Sequence, residues 1–176
     1  MTLSTHSTRY SPDAPLRLSR SILGPREAEA TSRVLLDDGY LGMGREVQSF
    51  EVEVADFIGV PATHVTSVSS GTAALQLAVE AIVAPGCEVL VQSFTFVASY
   101  QAITAAGAVP VSCEIDPSTG TIDLRDAEGR ITDKTRAIMP VHYASNMGDL
   151  DAIYDFARSH GLRVIEDAAH SFGCDY

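Results

Sequence analysis

The stretch from residue 135 to residue 167 decides the fold: TRAIMPVHY (135–143), a helical pattern from Asp149 to His160, and LRVIED (162–167). Both outer runs carry Val and Ile without polar alternation, which is typical of strands covered on both faces. Strands joined by a connection of this length run parallel, with the helix as the crossover. The stretch therefore predicts a βαβ unit.

The same alternation of apolar runs and helical patterns extends toward the amino terminus. It comprises a helix between Pro25 and Gly39, a helix from about Glu46 to Ile58, the strand VTSV (65–68), a helix over TAALQLAVEAIVA (72–84), the strand EVLVQ (88–92), a helix near Ala98 to Ala106 and the strand VPVSCEI (109–115). The helix over 72–84 is apolar apart from Gln76 and Glu80, which predicts a buried helix. We predict an α/β fold, with an open, mostly parallel sheet and helices on both faces. A polar tail, residues 1–15, precedes one domain over residues 16–176.

Composition and charge narrow the classes of partner. The 176 residues are 45% hydrophobic and 20% charged, as in globular proteins. Twelve Lys and Arg against 23 Asp and Glu give a net charge of −11, which would repel nucleic acid and acidic membranes. The three cysteines lie far apart without a CxxC pair, which indicates reduced thiols and no zinc site. The start has no apolar signal segment and no apolar run is long enough to span a bilayer, so we expect a cytoplasmic protein.

Ligands of open α/β sheets bind beyond the carboxyl ends of the strands, so the residues that follow each apolar run are candidate site residues. The first group is SSGTA, residues Ser69 to Ala73, between VTSV and the next helix. A glycine and hydroxyl residues at a helix start can bind a phosphate through free N–H groups and the helix dipole. A serine N-cap without a ligand explains the same residues, so both interpretations stay open.

Two further groups lie in equivalent places. Phe94 and Phe96 follow EVLVQ and either lie against a planar ligand or belong to the core. Glu166 and Asp167 end LRVIED, where neighbouring positions point to opposite faces, so at most one carboxylate faces a given pocket. His170 follows them, and a buried core histidine beside an Asp167 that caps the next turn is the alternative interpretation.

Taken together, the motifs resemble those of one enzyme family. The segments that carry the resemblance are GYLGMGREVQSFE (39–51), SSGTAAL (69–75), SFTFVAS (93–99), AAGAVPVSCEID (105–116), TRAIMPVHY (135–143) and GLRVIEDAAHSFG (161–173). In this order they resemble the sugar aminotransferases of the DegT/DnrJ/EryC1/StrS family, from about Leu16 onward. The resemblance implies the large domain of a fold-type I enzyme that depends on pyridoxal 5'-phosphate.

The resemblance also implies which residues hold the cofactor. Gly71, Thr72 and Ala73 match the family's turn around the cofactor phosphate, in agreement with the helix start described above. Phe96 matches the aromatic residue that stacks on the pyridine ring. The resemblance therefore implies that one segment binds the phosphate and that a second segment, which contains Phe96, covers one face of the ring.

Two residues match the family's catalytic positions. Asp167 matches the carboxylate that pairs with the protonated ring nitrogen, and His170 stands where the family often has Gln hydrogen-bonded to the ring hydroxyl. The implied reaction transfers an amino group, usually from glutamate, to a keto group of a nucleotide-linked sugar, for cell-surface polysaccharide or natural-product biosynthesis. The implied enzyme is a homodimer, with the loop Gly39–Gly44 contributing to a shared site.

The lysine that this chemistry needs is the point of departure from the family. In the family, the Schiff-base lysine lies beyond the segment that matches EDAA (166–169). This sequence ends at Tyr176, before that position. Lys134, the single lysine, stands just before TRAIMPVHY and is expected at the opposite, amino end of the strand, as a solvated residue. We therefore expect a partial large domain, inactive alone and without the small C-terminal domain. The alternatives are a non-catalytic, truncated or split domain and a cofactor-dependent sugar dehydratase of the same family.

Overall fold

A computed structural model describes residues 21–176 of the chain. The described residues fall into two compact units, a first that ends at Ser49 and a second over Phe50–Tyr176. The predicted polar tail, residues 1–15, lies outside the described residues, and a single domain over residues 16–176 stays a prediction.

The two predicted helices of the amino-terminal part are confirmed. Helix α1 (Pro25–Arg33) starts with proline, whose missing N–H costs nothing in a first turn, and continues as a π-helical turn, Val34–Asp38. Gly39 ends it with φ of +64°, a left-handed conformation that glycine adopts without strain. Helix α2 (Arg45–Ile58) follows the glycine-containing loop.

The second unit is built around a parallel sheet. Its elements in chain order are α3 (Gly71–Ile82), β1 (Glu88–Gln92), α4 (Val97–Ala105), β2 (Val109–Cys113), α5 (Leu124–Gly129), β3 (Thr135–Met139), α6 (Leu150–Ser159) and β4 (Arg163–Val164), with short 3₁₀ turns at Ala62–His64 and Tyr143–Ser145. The four strands lie in the order β2-β1-β3-β4, and every neighbouring pair is parallel. The predicted α/β class and parallel sheet are confirmed.

Helices cover both faces of this sheet, as predicted. On one face, Val89 and Val91 of β1 pack with residues of α3 and α4, and on the other Leu90 packs with residues of α5 and α6. Successive side chains of a strand point to opposite faces, so three consecutive apolar residues supply both cores. All three are fully buried.

Several sequence predictions were wrong in detail, and strands β2 and β3 are shorter than the predicted VPVSCEI and TRAIMPVHY. Residues 65–68 (VTSV) pair with no described strand, and the amide of Ser67 donates instead to the Glu51 carboxylate at 2.7 Å. Strand β4 is shorter than the predicted LRVIED, because Pro140, which has no N–H to donate, interrupts the opposite strand. Helix α3 is only partly buried, since Val79 alone among its residues is fully buried.

The described residues contain all three cysteines and every helix of the structure that could be tested as a membrane span. Cys87, Cys113 and Cys174 are all free thiols, and burial raises the pKa of the Cys113 thiol to about 11. Within residues 21–176 no helix has the length and apolar character needed to cross a bilayer, and no cluster of side chains there suits a metal ion.

The central strand gives a direct test of this packing. Val91→Ala in β1, where the side chain is 0% exposed, should lower the free energy of unfolding by about 2 kcal/mol, because it removes buried methyl groups and leaves a cavity. The matched change Val109→Ala in edge strand β2, where the side chain is 46% exposed, should cost about 0.5 kcal/mol. Urea unfolding followed by circular dichroism measures both values, and equal losses would contradict the assigned core.

Candidate functional site

The carboxyl ends of β1 and β3 open into a pocket of about 270 Å³. Its walls come from the start of α3, the segment after β1, the segment after β3 and the segment after β4: Gly71, Thr72, Leu75, Thr95, Phe96, Ala98, Val141, His142, Tyr143, Asp167, Ala169 and His170. Segments far apart in sequence meet here because parallel strands end at the same edge of a sheet. Every strand-end group that the sequence indicated contributes to this one pocket.

The start of α3 presents two free backbone donors to the pocket. Ser70 is the N-cap, and its Oγ accepts the N–H of Ala73 at 3.2 Å. The amides of Gly71 and Thr72 come earlier in the first turn, where a helix leaves its N–H groups without intrahelical acceptors. The predicted serine cap is therefore present, and anion binding by the two free amides beside it stays a prediction.

One of the three residues predicted for the phosphate differs from the other two. Gly71 and Thr72 lie on the pocket wall, whereas Ala73 does not, and its N–H is already bound by Ser70. A Cβ added at Gly71 would meet no atom within 4 Å, so the fold itself does not require glycine at this position. The contact of Ala73 with a ligand stays a prediction that this geometry does not favour.

The two phenylalanines after β1 are not core residues. Phe96 is 73% exposed and forms one wall of the pocket. Phe94 is also exposed, and its ring centroid lies 4.3 Å from that of Tyr143, another pocket residue. A planar ligand can stack on an aromatic ring that faces a pocket and is not covered by other side chains.

Asp167 is the buried carboxylate of the site. It is 7% exposed, its Oδ2 accepts the hydroxyl of Ser99 at 2.7 Å, and its Oδ1 receives only a long contact of 3.4 Å from the amide of Ala169. Its backbone pairs with the segment after β3: its N–H donates to Pro140 and its carbonyl accepts from His142, each at 3.0 Å. The backbone of Asp167 is thus held by two hydrogen bonds, and Oδ1 of its carboxylate can still accept a hydrogen bond.

Glu166 points away from this pocket, as strand alternation predicts. Its carboxylate binds the hydroxyl of Tyr154, and this hydrogen bond, together with burial, raises the pKa of Tyr154 to about 12. Its Oε2 also lies 3.1 Å from Nε2 of buried His142, an ion-pair distance without hydrogen-bond alignment. The other ring nitrogen of His142 contacts the hydroxyl of Ser171 at 2.7 Å, so Glu166 belongs to a structural network beside the pocket.

His170 is exposed at the pocket, so the core-histidine interpretation was wrong. Its Nδ1 accepts the N–H of Ala144 at 3.3 Å, and Ser145 donates its hydroxyl to the His170 carbonyl at 2.5 Å. Ala144 and Ser145 have φ of +53° and +66°, a conformation that costs free energy for residues with a Cβ. With Nδ1 as the acceptor, the neutral ring carries its proton on Nε2, which is free to donate.

Gln92, at the end of β1, holds two pocket segments and the loop that contains Gly120 together. It is fully buried, its Nε2 donates to the carbonyls of Phe94 and Gly120 at 2.9 and 3.3 Å, and its Oε1 accepts the N–H of Val141 at 3.0 Å. A buried amide keeps this position only when its donors and acceptor are paired, as they are here. The segments that bear Phe96 and His142 are thus fixed to the same strand end.

Sequence reasoning did not single out Ser99, Gln92 or Tyr143. Ser99 and Asp167 are 68 residues apart, and only the fold brings them together. A weak signal exists for both buried polar residues, because each interrupts an apolar run with a group that must find a partner. Tyr143 carries no such signal, since an aromatic residue at a strand end is common in ordinary cores.

The single lysine lies at the opposite edge of the sheet from the pocket. Lys134 is exposed, and its carbonyl accepts the N–H of Glu88, the first residue of β1, at 3.0 Å. The pocket lies beyond the other ends of the same strands. The predicted position of Lys134 is therefore confirmed.

Several known proteins are similar to this chain in sequence and in fold. A dTDP-4-dehydro-2,3,6-trideoxy-D-glucose 4-aminotransferase of Saccharopolyspora spinosa is 39% identical over 155 residues, 88% of this chain and 40% of that protein. The crystal structure of the sugar aminotransferase CalS13 from Micromonospora echinospora superposes with a TM-score of 0.81 at 33% identity, over 89% of this chain and 44% of that one. NtdA from Bacillus subtilis, solved with bound cofactor PMP, gives a TM-score of 0.75 at 30% identity, over 86% of this chain and 35% of that one.

The matches cover most of this chain but less than half of each relative. The chain spans about 40% of the length of the relative from Saccharopolyspora spinosa. A family model matches residues 23–176, nearly all of the chain. The protein therefore belongs to the DegT/DnrJ/EryC1/StrS aminotransferase family.

Proposed function

We propose that this chain carries the cofactor site of an aminotransferase that uses pyridoxal 5'-phosphate to aminate a keto group of a nucleotide-linked sugar. The observation that carries the proposal is the composition of one pocket, which joins two free helix-start amides, an exposed phenylalanine and a buried carboxylate with an open oxygen. Each of these groups suits one part of a planar, phosphorylated pyridine. The family membership of the chain supports the same cofactor.

The start of α3 would hold the phosphate. The free amides of Gly71 and Thr72 point from a helix N-terminus, where the helix dipole favours a dianion. The Thr72 hydroxyl adds a third donor on the same wall. Ser70 contributes indirectly, because its cap of Ala73 fixes the geometry of the turn.

The opposite walls would hold the ring. The exposed face of Phe96 offers a stacking surface, and Asp167 offers a carboxylate oxygen to a protonated ring nitrogen. The free Nε2–H of His170 can donate to a ring hydroxyl or its oxyanion. When bound, the cofactor supplies an electron sink that stabilises negative charge on the substrate carbon during amino transfer.

Further parts of the proposal rest on the family resemblance. They are glutamate as the amino donor, a homodimer in the cytoplasm, and a contribution of the loop Gly39–Gly44 to the shared site. The relative from Saccharopolyspora spinosa acts on a dTDP-linked deoxysugar, which supports a nucleotide-linked sugar as the substrate class. The net charge of −11 supports a partner other than nucleic acid.

The position of Lys134 bears on what the chain does alone. Because Lys134 lies at the amino edge of the sheet, it is not available to a ligand in the pocket. We infer that the 176-residue chain holds the cofactor through non-covalent contacts and does not by itself complete amino transfer.

Asp167→Asn tests the ring-nitrogen partner. The change removes the negative charge with little change in shape, so the affinity for pyridoxamine phosphate should fall about tenfold or more, the range of one charge-assisted hydrogen bond. Isothermal titration calorimetry measures the dissociation constant. Asp175→Asn, at an exposed position outside the pocket, is the matched control and should bind as the unaltered chain does. An unchanged affinity of Asp167→Asn would refute the role.

Thr72→Ala tests the phosphate end of the pocket. Loss of one hydroxyl donor should weaken the binding of pyridoxamine phosphate about three- to tenfold, while the binding of pyridoxamine, which has no phosphate, should not change. Thr66→Ala, at an exposed position outside the pocket, is the control. Equal losses for both ligands would place the phosphate elsewhere.

Borohydride trapping tests the non-covalent mode. After incubation with pyridoxal phosphate and reduction, peptide mass mapping should show no stoichiometric adduct at Lys134, since the side chain lies away from the pocket. Lys134→Arg should bind pyridoxamine phosphate with unchanged affinity. Stoichiometric labelling of Lys134 that pyridoxamine phosphate suppresses would contradict the assignment.

A further inference from the structure

We propose that Ser99, supported by Thr95, is a positioning residue that orients Asp167 and leaves one carboxylate oxygen free for the ring nitrogen of the cofactor. The inference rests on the proposed function, because it concerns the same pocket. It adds the hydroxyl of Ser99, which does not line the pocket, and that of Thr95, which does.

The direction of the hydrogen bonds follows from the chemistry of the three groups. Ser99 is 0% exposed in the first turn of α4, and its Oγ lies 2.7 Å from Asp167 Oδ2. A carboxylate only accepts, so the single proton of the Ser99 hydroxyl is donated to Asp167. Thr95 Oγ1 lies 2.8 Å from Ser99 Oγ and 3.4 Å from the Phe96 carbonyl, and its single proton goes to the nearer Ser99, with Thr95 as the donor. The relay runs from Thr95 to Ser99 to Asp167.

This relay makes the two oxygens of Asp167 different. Oδ2 is held by a short, buried bond from Ser99, whereas Oδ1 has only the 3.4 Å contact from the Ala169 amide. Rotation of the carboxylate plane would break the bond from Ser99, whose fully buried hydroxyl has no water to replace the lost acceptor. Oδ1 therefore remains the oxygen with a lone pair to offer.

The surroundings of Ser99 support a role beyond packing. Its neighbours on the buried face of α4, Ala98, Ala102 and Ile103, are apolar. The free-energy cost of burying the Ser99 hydroxyl among them is offset by its hydrogen bond to Asp167. Another hydroxyl of the same helix, that of Tyr100, donates to Ser112 at 2.8 Å and does not approach Asp167. Ser112 is exposed, so it provides a matched serine for comparison.

The experiment compares two ligands that differ in one ring atom. Pyridoxamine phosphate has the ring nitrogen and no aldehyde, so it does not label lysine, whereas its 1-deaza analogue has a C–H in place of that nitrogen. Calorimetry on the 176-residue chain gives both dissociation constants and their ratio. The chain should prefer pyridoxamine phosphate by about tenfold or more, as expected for a charge-assisted hydrogen bond.

Ser99→Ala should reduce this preference about five- to tenfold and leave the affinity for the 1-deaza analogue unchanged, because only the nitrogen contact depends on Asp167 orientation. Thr95→Val keeps the side-chain shape and should reduce the preference about two- to threefold, and it carries the test if Ser99→Ala does not fold. Ser112→Ala should keep the full preference. Circular dichroism checks that each variant is folded.

The outcomes separate this inference from the proposed function. If the unaltered chain prefers the nitrogen-containing ligand and Ser99→Ala or Thr95→Val keeps that preference, the relay is refuted and the proposed function stands. An equal loss of affinity for both ligands in Ser99→Ala would show a merely structural role and also refutes it. If the unaltered chain shows no preference, the ring-nitrogen role of Asp167 fails, and the inference fails with it.

Discussion

The backbone pairing between the segment after β3 and the segment after β4 is the constraint on which the site depends. The N–H of Asp167 donates to Pro140 and its carbonyl accepts from His142, so an isolated parallel bridge between Val141 and Asp167 keeps the register of the sheet beyond the strands. This pairing places the Asp167 carboxylate at the carboxyl ends of the strands, on a backbone held by two hydrogen bonds. The hydroxyl of Ser99 then fixes the side chain, and the remaining pocket walls are arranged around it.

Hydrogen bonds of polar groups hold the pocket walls in place. Gln92 links three segments, and the strained turn at Ala144 and Ser145 presents one backbone donor and one hydroxyl to His170. A buried amide with all of its groups paired, such as that of Gln92, favours one arrangement, because any other leaves a buried group without a partner. The two amides at the start of α3 have no such partner, and free donors at a helix start suit an anionic ligand.

The sheet and the site could be predicted from sequence to different extents. Strand β1 was predicted with its bounds, because a run of buried Val and Leu is unambiguous in an α/β context. VTSV also contains two valines, yet it pairs with no described strand, and a strand exists only where a neighbour completes its hydrogen bonds. Helix α3 has an apolar sequence, yet much of its surface is not covered by the described residues of its unit.

The sequence by itself determined the fold class, the family resemblance, and the position of Lys134 at the edge away from the pocket. These depend on local pattern and on chain order, which the sequence states directly. Only the tertiary structure decided that Ser99 meets Asp167, that Glu166 turns to Tyr154 instead, and that the N–H of Ala73 is already used. Such contacts join residues whose separation along the chain carries no information about distance, because packing of the whole sheet sets which side chains meet.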